Sequence, residues 1–350
     1  MLNLIFVYII LIFLILRFSV TVFNFLSNPK LGNYGKHFTD KVSIIIDATA
    51  DNSGLLNLIT TLKQQDYQHI EVIIEQAKAQ EFHAAIVSVC AIDRRFQLRE
   101  KRAGIINPAE EATGNYLLFL GVNTEVNKGL INSLIYRTKI FNLALLTVVP
   151  TQLFAGFMNN CLVPLNNFVL LNLTPLRLIR LFPSPIFSAG SNQCMFFDAA
   201  LCRKHQWEQR FEDRLPEALE VVKGVKQEGF KAEILLGNRL INTVVPLHTT
   251  ESFKKTGQLL FRKFGNNIFA AMFYVLLVVA GPLLMLSNYE YSLLILPVGL
   301  IFLTRIMISF LSGQNPLLNV LLHPLQMIML LASLLSAIYG KSIQLVRGGD

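Results

Sequence analysis

The chain is 350 residues long, 53% apolar and only 15% charged, which is too apolar for an ordinary soluble domain. Its net charge of +8 suits contact with anionic lipid heads or a nucleotide diphosphate, and equally a solvated basic face. Four scattered cysteines and six histidines without paired spacing supply no zinc motif, and the cysteines read as reduced structural thiols.

The first element is an apolar run over 4–26, interrupted only by Arg17. No basic segment precedes it and no small-x-small cleavage site follows, so an uncleaved membrane anchor is expected. After a polar linker, 42–48 (VSIIIDA) reads as a buried strand. Leu55, Leu56, Ile59 and Leu62 repeat at helix period across 51–65. A second strand is expected over 70–75, a helix over 81–90, a short strand over 96–100 and a helix around 107–113. The Gly114-Asn115 turn then leads into the apolar run Tyr116 to Leu120, a buried strand, and the chain breaks at Gly121-Val122-Asn123-Thr124. Strands alternating with helices predict an α/β fold with a mostly parallel sheet flanked by helices. Ligands bind such sheets at the carboxyl ends of the strands, here the loops after Ile46, Ile74 and Leu120.

Residues 151–183 carry no strand signal and read as an amphipathic segment lying on a membrane surface, with a buried domain helix as the alternative. A strand and helix follow in "GSNQCMFFDAALCRKHQW", then a helix closed by Gly229 and a strand in "KAEILL". Trp207 reads as a packing anchor. Three further apolar runs, 268–286, 291–311 and 316–339, bring the expected membrane helices to about four, with a kink at His323-Pro324. The division is therefore an anchor (1–26), a domain over 27–265 and membrane helices over 266–350.

Setting aside Arg17, Arg305, Lys341 and Arg347, and the acids Glu290 and Asp350, leaves 27 basic and 21 acidic side chains in 27–265. With Lys254, Lys255, Arg262 and Lys263 just before the second apolar run, the positive-inside rule puts this domain in the cytoplasm; Lys341 and Arg347 oppose it. Arg305 inside a membrane run is expected to snorkel to lipid phosphates, or to meet a lipid acceptor head group. Arg17, Arg305 and His323 are too few for an ion path, which argues against a transporter.

The order of segments resembles the membrane-bound branch of the family 2 glycosyltransferases, which have the GT-A fold. "KVSIIIDATADNSGLLNLITTLKQQDYQHIEVII" is similar to the family's opening strand, turn, helix and second strand. "KRAGIINPAEEATGNYLLFL" resembles the segment carrying its lysine, at Lys101, and the strand before its Asp-x-Asp metal motif. "GSNQCMFFDAALCRKHQW" and "EDRLPEALEVVKGVKQEGFKAEIL" resemble its acceptor half and the Glu-Asp motif that supplies the base. The resemblance implies transfer of a sugar from a nucleotide-sugar donor to a lipid or other membrane-associated acceptor. It places donor-binding roles at Asp51, Glu75, Lys101, Asn123 and Thr124, and the catalytic base at Asp213 with Glu212 beside it. No nucleic-acid partner is implied.

The departures fall on functional positions. The metal-binding aspartates are Gly121 and Asn123, so no metal ligands are assigned; Mg²⁺ or Mn²⁺ would meet one neutral carbonyl from Asn123, with Thr124 and Glu125 following. Asp213 could equally cap the helix that follows, with Pro216 in its first turn. Two readings stay open: a transferase, and a catalytically inactive relative serving as a membrane-attached binding or scaffolding partner.

Overall fold

The computed structural model describes residues 2–35, 37–48, 54–77, 84–101, 111–207, 217–245, 249–288 and 291–347. They divide into two compact units, one of 29–153 with 176–244, the other of 1–28, 154–175 and 245–350. Residues 154–175 and 245–265 thus join the anchor and the last helices, although sequence order alone grouped them with the α/β domain.

The first unit is built on a seven-stranded sheet. Its strands are β1 (Val42–Asp47), β2 (Ile70–Ala77), β3 (Phe96–Lys101), β4 (Tyr116–Leu120), β6 (Leu145–Val149), β8 (Cys194–Asp198) and β9 (Ala232–Leu236), in the spatial order 3-2-1-4-8-6-9. Six strands run one way and β8 runs against them. Alternation along each strand feeds two cores, because successive side chains leave a strand on opposite faces. Ile44, Ile46, Ile74, Leu118 and Leu120 pack on one face with Leu58 and Leu134; Ile45, Ile73, Leu117 and Phe119 pack on the other with Trp207 and Val222. Burial on both faces is why β4 reads as an unbroken apolar run and β1 as a nearly unbroken one.

The expected mostly parallel α/β sheet is present, with local differences. In the helix Leu55–Lys63 the buried stripe is Leu55, Leu58, Ile59 and Leu62, and Leu56 faces out. The helix Ala218–Gln227 closes at Gly229, whose φ of +82° suits a residue without Cβ. Its N-cap is Glu217, and the expected capping residue Asp213 lies outside the described residues. The helix expected around 107–113 falls mostly outside the described residues. Trp207 is fully buried, stacked on His205 and donating from Nε1 to Glu228 at 2.9 Å, as a packing anchor should be. Three short strands, β5 (Thr124–Val126), β7 (Thr151–Leu153) and β10 (Ile241–Val244), form a second sheet in the order β5-β10-β7.

The second unit is helical. Ile5–Ser27, Leu294–Ser312 and His323–Lys341 are long and apolar enough to cross a membrane. Phe253–Lys263 with Ile268–Leu284, bent by 105° at their junction, makes a fourth if taken as one broken span. The apolar run expected to span as one piece over 316–339 is two helices, Pro316–Leu321 and His323–Arg347. Pro324 explains the break: with no N–H and a bulky ring it fits the first turn of a helix but not its interior. The run over 268–286 contains a π-helical turn, Leu276–Ala280.

Two expectations change here. The helix Phe157–Leu173 buries Cys161, Leu162, Val163, Pro164 and Leu165 in succession, hence all the way round, and lacks the polar outer face of a surface-lying helix. The helix is buried, as the alternative reading had it, but it belongs to the helical unit and not to the α/β domain. Arg305 does not snorkel: its side chain is 1% exposed and lies over the Phe168 ring.

Candidate active site at the carboxyl edge of the sheet

The strand order 3-2-1-4 reverses between β1 and β4, and the crevice beyond the carboxyl ends at such a switch point is where open α/β sheets take ligands. Register brings specific residues there. Asp47, the last residue of β1, pairs with Glu75 of β2, which pairs in turn with Arg99 of β3; Lys101 ends β3 opposite Ala77. Arg99 is ion-paired with Glu111. Leu120 at the end of β4 pairs with Ile46 on one side and with Cys194 of β8 on the other. Because β8 runs the opposite way, its entry residues Asn192 and Gln193 reach the edge where the parallel strands end.

The loop after β4 is tightly held. The Gly121 carbonyl accepts from the Thr124 amide at 3.1 Å and from its hydroxyl at 2.7 Å, closing a four-residue turn. The Asn123 carbonyl accepts from the Val244 amide at 2.9 Å and from the Thr243 hydroxyl at 3.1 Å. Glu125, in β5, accepts from Asn57 Nδ2 at 2.6 Å. From the other side Gly54 presses on the loop: a Cβ there would lie 2.4 Å from Asn123 Oδ1 and 2.6 Å from the Val122 carbonyl.

A side chain at Gly121 would meet a different neighbour. Its Cβ would fall 2.1 Å from Gln193 Oε1, and the Gly121 amide donates to the Gln193 carbonyl at 3.0 Å. The Gln193 carboxamide therefore occupies the space a carboxylate at 121 would use. One residue earlier, Asn192 Oδ1 accepts from the Ala218 amide at 2.6 Å, and Gly190 packs against Ala218 closely enough that its Cβ would sit 2.6 Å from that of Ala218. The loop 190–193 so ties the start of the helix Ala218–Gln227 to the edge at Gly121.

Glu75 and Lys101 therefore belong to this edge on the neighbouring strands β2 and β3, and Asn123 and Thr124 in the turn that follows β4. Asp51, Glu212 and Asp213 lie outside the described residues. Sequence reading missed Asp47 as a site residue, though it ends an apolar strand in a polar side chain, a usable signal. It also missed Gln193, whose importance rests on an antiparallel pairing with no local trace. Next to Gln193, burial pushes the Cys194 thiol up to about 12, so it stays protonated and is no nucleophile.

A divalent cation does not fit the 121–124 turn. Hard cations want several charged oxygens; Gly121 has no side chain, Asn123 brings only a neutral amide oxygen, the Thr124 hydroxyl is bonded within the turn, and among the described residues no three His, Cys, Asp or Glu side chains group to hold a metal ion.

No protein-family profile matches the sequence, and no curated protein matches it. Solved structures do match the fold. A mannosyltransferase from Pyrobaculum calidifontis, solved with GDP-Man and Mn²⁺, superposes with a TM-score of 0.54 at 11% identity, covering 96% of this chain and 99% of that one. Residues 1–349 of Staphylococcus aureus TarS, solved with UDP-GlcNAc, match at a TM-score of 0.41 and 12% identity over 88% of this chain and 92% of that one. At these identities the first likeness speaks to the fold alone: an α/β sheet domain with apolar helices, similar to that of the mannosyltransferase.

Proposed function

We propose that this protein is a membrane-attached glycosyltransferase that transfers a sugar from a nucleotide-sugar donor to a lipid or other membrane-associated acceptor. The observation that carries the reading is the convergence of Glu75, the 121–124 turn and the start of the helix at Ala218 on one sheet edge, at the topological switch point. Glu75 and Asp51 hold the base and ribose of the donor, with Asn123 and Thr124 lining its sugar-diphosphate side. Lys101 offsets charge on the leaving diphosphate. Asp213, with Glu212 beside it, takes the proton from the acceptor hydroxyl. The acceptor oxygen then bonds to the sugar's anomeric carbon as the bond from that carbon to the diphosphate oxygen breaks, and a nucleoside diphosphate leaves. Asp213 stands five residues before Ala218, within about 18 Å of it at full extension. No step runs through a metal ion. The domain faces the cytoplasm, as the basic residues before Ile268 suggest.

A second reading is favoured by one observation, the Gln193 carboxamide in the space of the missing acid at 121. In it the fold is kept, transfer is lost, and the protein binds or scaffolds a partner at the membrane. Calorimetric titration of the purified protein with UDP- and GDP-sugars, with and without Mn²⁺, separates the two. Micromolar binding of one donor, with turnover abolished and affinity spared in Asp213→Asn, is the expected result. No binding of any donor overturns the transferase and leaves the partner reading; donor binding with unchanged turnover in Asp213→Asn removes the proposed base.

A further inference from the structure

We infer that the helical unit contains a binding site for a phosphate group, formed by Arg17 and Arg305, both against the Phe168 ring, with His323 beside them. The Arg17 guanidinium carbon lies 5.1 Å from the Phe168 centroid and that of Arg305 lies 4.2 Å from it, while the His323 ring packs edge-on at 6.1 Å. Arg17 is 7% exposed and Arg305 1%. Despite that burial, Arg17 Nε, Arg305 Nε and Nη2, and His323 Nδ1 have no hydrogen-bond partner. Four unsatisfied nitrogens around one ring is a pattern that a single polyoxygen anion would complete.

Charge points the same way. Two guanidiniums stay ionised in any protein environment, and burying one without a counter-ion is costly. Across 1–28, 154–175 and 245–350 the sequence holds only three acids, Glu251, Glu290 and Asp350, and none lies in the apolar spans that carry Arg17 and Arg305. The rings of Phe13 and Tyr274, each 5.6 Å from Arg17, offset only a fraction of that cost. Phosphate fits best among anions, because the planar guanidinium fork binds two of its oxygens at once. Arg305 stands seven residues before Ser312, about 10 Å along the helix. A phosphate head group drawn between the helices reaches that depth, and free phosphate offers the same chemistry. The site is independent of the donor edge and stands whether or not the sheet unit transfers sugar.

The test uses full-length protein purified in maltoside detergent without phosphate. Phosphatidic acid, phosphatidylcholine of the same acyl chains, and inorganic phosphate are added separately; bound lipid is read by native mass spectrometry and stability by thermal unfolding. One retained phosphatidic acid and a raised Tm, with little effect of phosphatidylcholine, is expected for a lipid head group; an equal rise with inorganic phosphate assigns the site to free phosphate. Arg305→Gln and Arg17→Gln should each weaken retention about tenfold or more, the loss of one charge-assisted pair, and Arg305→Lys should recover part of it. Arg305→Met keeps the test open if the polar variants fail to fold: it should match the wild type without ligand yet gain no Tm on adding phosphate. No Tm change in the wild type with any addition, or retention unchanged in both Gln variants, overturns the site.

Discussion

Gly54 and Gly121 flank the same loop, but a side chain at each would meet a different kind of obstacle. At Gly54 the obstacle includes main chain, Val122 O and Asn123 Cα, which cannot step aside as the Asn123 side chain could. Gly54→Ala should therefore destabilise by about 1–3 kcal/mol, the usual cost of overpacking, read as a lowered Tm. At Gly121 the obstacle is the tip of Gln193, a flexible side chain. Gly121→Asp should lower Tm, and Gln193→Ala in the same chain should recover most of the loss; a purely additive double mutant would deny that Gln193 holds that space. At the other end of the sheet Glu71 is held by Lys41 at 2.6 Å, by the Ser43 hydroxyl, and by Thr113 through its amide at 2.6 Å and hydroxyl at 2.7 Å. Burial alone would raise its carboxyl, but these partners bring it from 4.5 down to about 2. A lowered carboxyl contributes stability that is full above about 4.5 and fades as pH falls through about 2. Glu71→Gln should thus cost about 2 kcal/mol at neutral pH, with the difference from wild type closing toward pH 2 in acid titrations of Tm.

At the scale of elements, β9 is fixed by charge as well as by its ladder. Glu233, fully buried in β9, accepts from Arg137 at 2.7 Å to each carboxylate oxygen and lies 3.4 Å from Arg177 and 3.7 Å from Arg180. Three guanidiniums share one carboxylate, and two of them, Arg137 and Arg180, also lie against the Phe141 ring. Glu233→Gln leaves them facing one another and should destabilise by about 3–5 kcal/mol, the range for removing one partner of a buried pair, measured by denaturant unfolding. Lys226 plays a similar part for the loop before β8: its ammonium donates to the carbonyls of Phe182 at 3.0 Å, Ser184 at 3.5 Å and Phe187, and burial lowers it to about 8. Elements with a strong local pattern were legible in the sequence. β1, β2 and β4 read as strands from their apolar residues, and the helix after β1 as a 3.6-residue repeat. The short β5, β7 and β10 were not, since three or four residues carry no period. The helix Leu130–Phe141 also went unread; it buries Asn132, Ser133, Arg137 and Thr138 with its apolar positions, so its polar residues do not mark an outer face.

At the scale of the whole chain, the proposed orientation gives a direct expectation. In sealed membrane vesicles, protease should degrade the sheet unit when the cytoplasmic face is outward and spare it when that face is inward; protection in the reverse sense would invert the topology. Residue order alone pointed to an α/β domain with membrane-grade helices, because apolar run length and strand–helix alternation are local properties of the chain. The order of short stretches pointed to the GT-A fold, and the bare Gly121-Val122-Asn123-Thr124 already showed that aspartates were missing. Only the tertiary structure decided what stands in their place. Gln193 reaches Gly121 across an antiparallel pairing between β4 and β8, more than seventy positions apart in the chain. It also decided that Arg17 and Arg305, far apart in sequence, share one aromatic ring inside the helical unit. Those meetings depend on register and packing between distant segments, and no window of sequence contains both partners.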